Sequence, residues 1–326
     1  MKLFAYNYAA DDKVFWETSA KKYNVELGYS EDYPSLENAE QLKGYEAASI
    51  YVTDMNAALL QKFYDMGIKY IATRSVGYNH FDMGKVRELG LKISISPYSQ
   101  NSVANYTIML MLMCCRKAKQ IISGMDVQNF SLAGKRGVEL SISTVGIIGT
   151  GKIGRTLIKH LSGFGCKILA YGTSEWDEVK GYAQYVDLDT LLRESDIISL
   201  HVPAKKENIH MINKEAMQKM KDGVILINTA RGEIVDTAAL IDGIESGKIG
   251  AAGLDVIEEE YGLYYHNLST KVINNRNLAV LKSFPNVIVT PHLAFYTEQA
   301  ISDMIENSIK GCLLFSQGKE NPFEVK

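Results

Sequence analysis

The stretch TVGIIGTGKIGRTLIKHL, residues 144–161, decides how the chain is read. An apolar run, TVGII, leads into G-x-G-x-x-G at Gly149, Gly151 and Gly154, with Lys152 and Ile153 between the last two glycines. An amphipathic segment, IGRTLIKHL, comes next, and then a second apolar run, KILAY, at Lys167–Tyr171. Three glycines at this spacing carry little weight alone. Between a strand and a helix they mark a dinucleotide-binding βαβ unit. Gly149 allows the tight turn, Gly151 lets the backbone approach a pyrophosphate, and Gly154 lets helix and strand pack closely. The pyrophosphate then meets a helix N-terminus, where unpaired N–H groups and the helix dipole favour an anion.

One part of this fingerprint is missing. A carboxylate at the end of the second strand normally holds the ribose 2′-hydroxyl. Here the chain reads Tyr171-Gly172-Thr173-Ser174. Gly172 relieves the repulsion of a 2′-phosphate, and Thr173 and Ser174 can donate hydrogen bonds to either cofactor form. No arginine stands nearby in the sequence, and Glu175 and Asp177 oppose a phosphate. The balance favours NAD and leaves NADP possible.

Outward from this unit, the chain repeats the same alternation. Strand candidates are Lys2–Tyr6, Ala47–Val52, Lys69–Thr73, Thr144–Gly149, Lys167–Tyr171, Asp196–His201, Gly223–Asn228, Gly250–Asp255 and Val287–Thr290. Helical patterns lie between most of them, among them Ala57–Met66, Ile153–Phe164 and Thr237–Ser246. Such alternation predicts an α/β protein with parallel sheets. A long helical pattern runs from Asn101 to Ile121, and its middle, Thr107–Cys115, is apolar nearly all round. That middle is buried in a core, a domain connection or a subunit contact. Residues 125–141 read as loop, and Thr297–Phe315 as a last helix.

Composition bounds the rest. A length of 326 residues suggests two domains, and 46% hydrophobic with 22% charged residues excludes a disordered chain. A net charge of −3 excludes the basic balance of a nucleic-acid binder. Cys114, Cys115, Cys166 and Cys312 show no CxxC spacing, so no metal site is expected, and the usage suits a reducing cytosol. The N-terminus MKLFAYNYAADD does not read as a secretion signal, and the longest apolar stretch is about half a membrane span. A cytoplasmic protein with no membrane partner is expected.

Strand ends of the nucleotide-binding half carry the chemistry. Arg231 follows GVILINTA, and its planar guanidinium suits a two-point grip on a carboxylate. Asp255 ends AAGLD, and Glu260 closes the acidic run Glu258-Glu259-Glu260, which on its own reads equally well as a solvated face. His292 follows VIVTP and is placed to enter a cleft. Of the other histidines, His160 lies in a helix, His210 and His266 read as loop or surface, His80 as near the first domain's cleft, and His201 as near a cofactor. A carboxylate grip, an acid/base and a carboxylate that orients it are what hydride transfer to a 2-keto acid needs beside the dinucleotide.

GTGKIG, HVP (His201–Pro203), NTARGEIVD (Asn228–Asp236), GLDVIEEE (Gly253–Glu260) and TPH (Thr290–His292) follow one another in an order that resembles the D-isomer-specific 2-hydroxyacid dehydrogenases. RSVG (Arg74–Gly77) and SPYSQNSVANYT extend the resemblance to nearly the whole chain. KYIATRSVGYNH, LSGFGCKILAY, PNVIVTPH and AFYTEQA are most similar to the D-lactate dehydrogenase branch, of the type found in vancomycin-resistance clusters. That type also lacks the acidic residue after the second strand and tolerates NADPH.

The resemblance implies pyruvate reduction to D-lactate, with a bulkier 2-keto acid such as 2-ketoisocaproate or phenylpyruvate as the alternative. It implies that Arg231 binds the substrate carboxylate, that His292 is the acid/base, and that Glu260 pairs with it and favours the imidazolium. Asp255 would lie near the nicotinamide. Tyr171, Gly172, Val202, Pro203, Asn208, Thr229, Ala230 and Arg231 would line the cofactor with Gly149, Gly151, Lys152, Ile153 and Gly154. Val76 and Gly77 would cradle the carboxylate through backbone N–H groups, with Tyr98, Phe295 and Tyr296 around the substrate.

The resemblance also implies two parallel-sheet domains, flavodoxin-like and Rossmann-like, with a cleft between them. Residues 1–99 plus 297–326 would bind substrate, 100–296 would bind NAD(P), and the helix near Met109–Met113 would support a homodimer. Asn105, where an acidic residue is common, and Leu293, where a small polar one is usual, depart from the pattern. A related class, dinucleotide-sensing co-repressors, shares the fold. Retention of Arg231, Glu260 and His292 together argues for an enzyme.

Overall fold

The computed structural model describes residues 1–326. The chain forms two compact units, Met1–Ser99 with Tyr296–Lys326, and Gln100–Phe295. Tyr296 therefore falls in the first unit, one residue ahead of the boundary read from the sequence.

The first unit is built on parallel strands β1 (Lys2–Ala5), β2 (Glu26–Tyr29), β3 (Ala47–Ile50), β4 (Tyr70–Thr73) and β5 (Lys92–Ile95), in the order 5-4-3-1-2. The C-terminal strand Glu324–Val325 adds antiparallel to β5. This is the flavodoxin-like order, which reverses between β1 and β3. β3, AASI, is buried along its whole length, as expected of a central strand with both faces covered. β2, β5 and the C-terminal strand escaped the sequence reading. β2 (ELGY) is a half-exposed edge strand and β5 (KISI) starts on an exposed lysine, so neither gives a continuous apolar run. The last helix, Glu298–Ser316, is capped by the Thr297 hydroxyl and packs on this unit. It then turns so that the Asn321 amide donates to Ser94 Oγ (3.1 Å) and the Gly311 carbonyl (3.3 Å).

The second unit holds β6 (Thr144–Ile148), β7 (Lys167–Tyr171), β8 (Gln184–Tyr185), β9 (Ile197–Leu200), β10 (Val224–Asn228), β11 (Ile249–Leu254) and β12 (Val287–Val289). All are parallel, in the order 12-11-10-9-6-7-8. Starting from β8, this is the doubly wound dinucleotide fold with one strand added at the far edge. The order reverses between β6 and β9, where Val145 pairs with Ile197 and Ile148 with Leu200. One sheet face packs Val145, Ile147, Ile227, Leu157 and Ile158 with Leu110 and Met111. The other packs Ile148, Leu226, Leu254, Leu191 and Leu240. Each fully buried Leu or Ile contributes roughly 1.5–3 kcal/mol relative to exposure.

The long helical pattern is two helices, Gln100–Cys115 and Ala118–Asp126. Lys117 stands between them with φ of 52°, a left-handed conformation that breaks the run. Apolar periodicity alone does not reveal such a break. The first helix buries Ile108, Leu110, Met111, Cys114 and Cys115 in its own unit. Exposed apolar residues follow instead, at Ile121, Ile122, Met125, Val127, Phe130, Leu132, Val138 and Ile142. No helix is long and apolar enough to cross a membrane.

Candidate active site

The reversal point positions the glycine turn. Gly149 leaves β6 with φ of 105° and its N–H donates to the Tyr171 carbonyl at 2.8 Å. A side chain at this φ would be strained. A Cβ on Gly154 would run into the Gly149 carbonyl, so helix Lys152–Leu161 starts directly against the strand. In front of Gly151 lies open space, and no side chain caps this helix. The first-turn N–H groups, Lys152 and Ile153 among them, therefore face an opening that fits a pyrophosphate.

Across the reversal point, His201, Val202 and Pro203 follow β9, and the His201 carbonyl lies against Gly149. Burial lowers the His201 pKa to about 4, so its ring is neutral and sits 2.8 Å from Ser199 Oγ. The Asn208 amide donates to the Pro203 carbonyl at 2.8 Å and closes this loop.

Gly172 has a packing reason. The Thr150 hydroxyl fills the space where a side chain on residue 172 would begin, and it donates to the Ser174 carbonyl at 3.2 Å. A carboxylate there would displace Thr150. The sequence reading that no arginine is near requires correction. Arg155, seventeen positions earlier, donates from Nη1 to the Thr150 carbonyl at 3.0 Å. Helix geometry brings it close in space, which linear distance conceals.

β10 ends at Asn228, whose buried side chain shapes the next turn. Its Oδ1 accepts from the Ala230 N–H (3.0 Å) and its Nδ2 donates to the Arg231 carbonyl (2.8 Å). The Thr229 hydroxyl is 2.9 Å from the Thr107 hydroxyl. Gly232 backs onto the Ile257–Glu258 backbone with no room for a Cβ. Arg231 is thereby fixed beside the acidic segment. Its Nη1 donates to the Ala230 carbonyl at 2.7 Å.

The acidic run is not a solvated face. Glu258 accepts from the Thr237 N–H at 2.9 Å and pairs with His210 Nε2 at 2.6 Å. That pairing raises the His210 pKa through the shared hydrogen bond. Glu259 is exposed, with φ of 58°. Glu260 Oε1 lies 2.7 Å from His292 Nδ1, both side chains mostly buried. The carboxylate fixes the ring by one nitrogen and leaves Nε2 for a reacting group.

Asp255 holds the loop that carries His292. Its Oδ1 accepts from Thr290 Oγ1 (2.6 Å) and the Leu293 N–H (2.9 Å), and its Oδ2 from the Ala294 N–H (2.8 Å). Its carbonyl accepts from the His292 N–H at 2.7 Å. The Tyr265 hydroxyl donates to the His292 carbonyl at 3.0 Å. These bonds keep His292 at φ of 55°, a conformation rare for a histidine. Burial pushes the Asp255 carboxyl up, and its hydrogen-bond donors pull the other way. The resemblance implies a place near the nicotinamide for Asp255; in the structure its carboxylate also holds the loop together. No residue pattern in the sequence announces that role, because two of its donors are backbone. Phe295 stands edge-on to His292 with ring centroids 6.3 Å apart.

In the first unit, Val76 and Gly77 lie in the loop after β4. Ser75 Oγ donates to the Gly77 carbonyl at 2.6 Å and is 2.8 Å from Thr73 Oγ1, which is 3.1 Å from His80 Nε2. Val76 is half-exposed at the tip. The segment of Tyr98 is tied to the last helix. The Ser99 N–H donates to Asp303 (2.9 Å) and the Asn307 amide to the Pro97 carbonyl (2.6 Å). Tyr296 is half-exposed. The sequence reading gave Arg74 no part of its own. It is buried between the rings of Trp16 and Tyr51, each 5.1 Å from its guanidinium carbon, and donates to the Tyr6 and Asn7 carbonyls.

Residues 108–294 match the family model described as "D-isomer specific 2-hydroxyacid dehydrogenase, NAD binding domain". The chain belongs to this family. An aromatic 2-oxoacid reductase of Clostridium sporogenes is 42% identical over 309 residues, 94% of this chain and 93% of that one. A D-specific alpha-keto acid dehydrogenase of Enterococcus faecium is 43% identical over 288 residues, 88% of each chain. A crystal structure of a D-lactate dehydrogenase from Treponema pallidum superimposes with a TM-score of 0.92 at 31% identity, covering 100% of both chains. The protein is thus an NAD-dependent D-2-hydroxyacid dehydrogenase, an oxidoreductase. The reading as a non-enzymatic dinucleotide sensor gives way to it.

Proposed function

We propose that the dehydrogenase reduces pyruvate to D-lactate, with His292 as the acid, Glu260 as its partner and Arg231 as the grip on the substrate carboxylate. The contact that carries this reading is the one of 2.7 Å between His292 Nδ1 and Glu260. It supports a ring whose other nitrogen donates a proton to the keto oxygen as that oxygen becomes a hydroxyl. Glu260 offsets the charge of the imidazolium before transfer. The glycine turn would hold the pyrophosphate of NADH, and the nicotinamide would supply the hydride to the keto carbon. Arg231 offers two parallel N–H donors to the carboxylate and a positive charge beside the carbonyl. On the first unit we assign the backbone N–H groups of Val76 and Gly77 to the carboxylate, and Tyr98 and Tyr296 to the substrate side chain.

Phe295 beside His292 narrows the space next to the proton donor, which favours a small acid. The likeness to the aromatic 2-oxoacid reductase favours a second reading, in which the side chain is aromatic. Initial rates of NADH oxidation with pyruvate, 2-ketoisocaproate and phenylpyruvate separate them. The highest kcat/KM for pyruvate, with D-lactate as product, is the expected result. A higher value for phenylpyruvate moves the substrate to the aromatic class and leaves the site chemistry intact.

We further propose a homodimer, formed through the exposed apolar residues between Ile121 and Ile142 rather than through the helix near Met109–Met113, which buries Leu110 and Met111 in its own unit. Exposed apolar residues concentrated in one segment support an interaction site there. Light scattering is expected to give twice the 36.3 kDa chain mass, and half that value for an Ile122→Glu, Phe130→Glu variant. A monomeric parent protein would remove the proposal.

A further inference from the structure

The missing carboxylate at residue 172 raises the question of what discriminates the two nicotinamide cofactors in this chain. Three side chains gather beside Thr150 and Ser174, where the ribose 2′-position is expected. Arg155 is anchored to the Thr150 carbonyl at 3.0 Å and its guanidinium carbon lies 4.0 Å from the centre of the Trp176 ring. Glu178 forms an ion pair with Arg155 Nε. The Arg155 side chain is largely buried while Glu178 remains open to solvent. Helix Lys152–Leu161 also presents Lys152 and Lys159 to a recess of about 300 Å³ that Arg155 and Glu178 share. Glu178 is the only carboxylate lining that recess. The two acidic neighbours suggested by the sequence, Glu175 and Asp177, are instead paired with Lys180 at 3.2 and 3.4 Å.

We propose that the Arg155–Glu178 pair, stacked on Trp176, sets the preference for NADH over NADPH. A guanidinium next to the ribose would bind a 2′-phosphate well, with two donors in one plane. The Glu178 carboxylate occupies it and adds a negative charge at the same place. Glu178 thus takes over the repulsive part of the missing carboxylate's role, from a different element and through an arginine. Trp176 holds the guanidinium flat by a cation–π contact, so the pair is preorganised. The proposal concerns the cofactor only and does not depend on which 2-keto acid is reduced.

Equilibrium binding of NADH and NADPH to the full-length protein, followed by calorimetry without substrate, tests it. The unaltered protein is expected to prefer NADH. Glu178→Gln is expected to tighten NADPH about tenfold and to change NADH little, because one charge-assisted contact is gained and one repulsion lost. Adding Arg155→Met to Glu178→Gln is expected to abolish that gain. Unchanged NADPH affinity in Glu178→Gln, with an unchanged thermal melt, would overturn the proposal. So would a gain that survives the loss of Arg155, or equal affinities in the unaltered protein. Failure of the unaltered protein to bind either cofactor would overturn the cofactor reading itself, and the proposal with it.

Discussion

His292→Ala is expected to lower kcat by about 10²- to 10⁴-fold, the range over which a positioned general acid acts. The Kd for NADH is expected to stay within about twofold, since the glycine turn and the His201–Pro203 loop do not use the imidazole for support. The reason lies in how the loop is held. Its backbone is fixed by the Asp255 carbonyl and carboxylate and by Thr290, none of which bonds the ring. Removing the ring therefore deletes the proton donor and leaves its platform. Glu260→Gln separates charge from position. Glutamine can still bond Nδ1, so the ring stays placed, but the charge that offsets the imidazolium is gone. A smaller fall in kcat than for His292→Ala is expected. Stopped-flow single-turnover rates with saturating NADH measure both. Collapse of NADH binding in His292→Ala would assign the histidine a structural role instead.

These expectations rest on features that differ in how visible they are in the sequence. The second unit was legible because its signals are local. A turn with three glycines, a strand before it and a helix after it sit within 18 residues, and each strand of the unit's sheet centre is a continuous apolar run. Of the four edge strands only β12 was legible. β2, β8 and the C-terminal strand are two to four residues long and partly exposed, so their partners decide their structure more than their own pattern does. The break at Lys117 escaped for a similar reason, since apolar residues continue across it while the backbone does not.

Within the candidate site, the pairing of His292 with Glu260 was readable only through family likeness, because 31 residues separate them. The roles of Asp255 and Asn228 depend on backbone N–H and carbonyl groups that every residue has. Arg155 and Glu178 meet across a helix and a loop, 23 positions apart. Contacts of this kind follow from the fold once it is known, and side-chain type alone does not announce them.

Arg231→Lys is expected to reduce kcat/KM for the 2-keto acid by about 10- to 150-fold, equivalent to roughly 1.5–3 kcal/mol for one lost charge-assisted hydrogen bond. Lysine keeps the charge and loses the planar fork. Its ammonium also cannot both bond the Ala230 carbonyl, as Arg231 Nη1 does at 2.7 Å, and keep two donors parallel. The turn itself should survive, because Asn228 shapes it through the backbone of Ala230 and Arg231 rather than through the guanidinium. How the loss divides between KM and kcat is informative. A carboxylate grip acts equally on substrate and transition state, and its loss raises KM. Polarisation of the keto oxygen grows as negative charge develops there, and its loss lowers kcat. Both changes are expected together in steady-state kinetics, with NADH affinity preserved. A rise in KM alone would confine Arg231 to binding. Kinetics close to those of the unaltered enzyme would move the carboxylate grip to other donors, of which the Val76 and Gly77 N–H groups are the next to test.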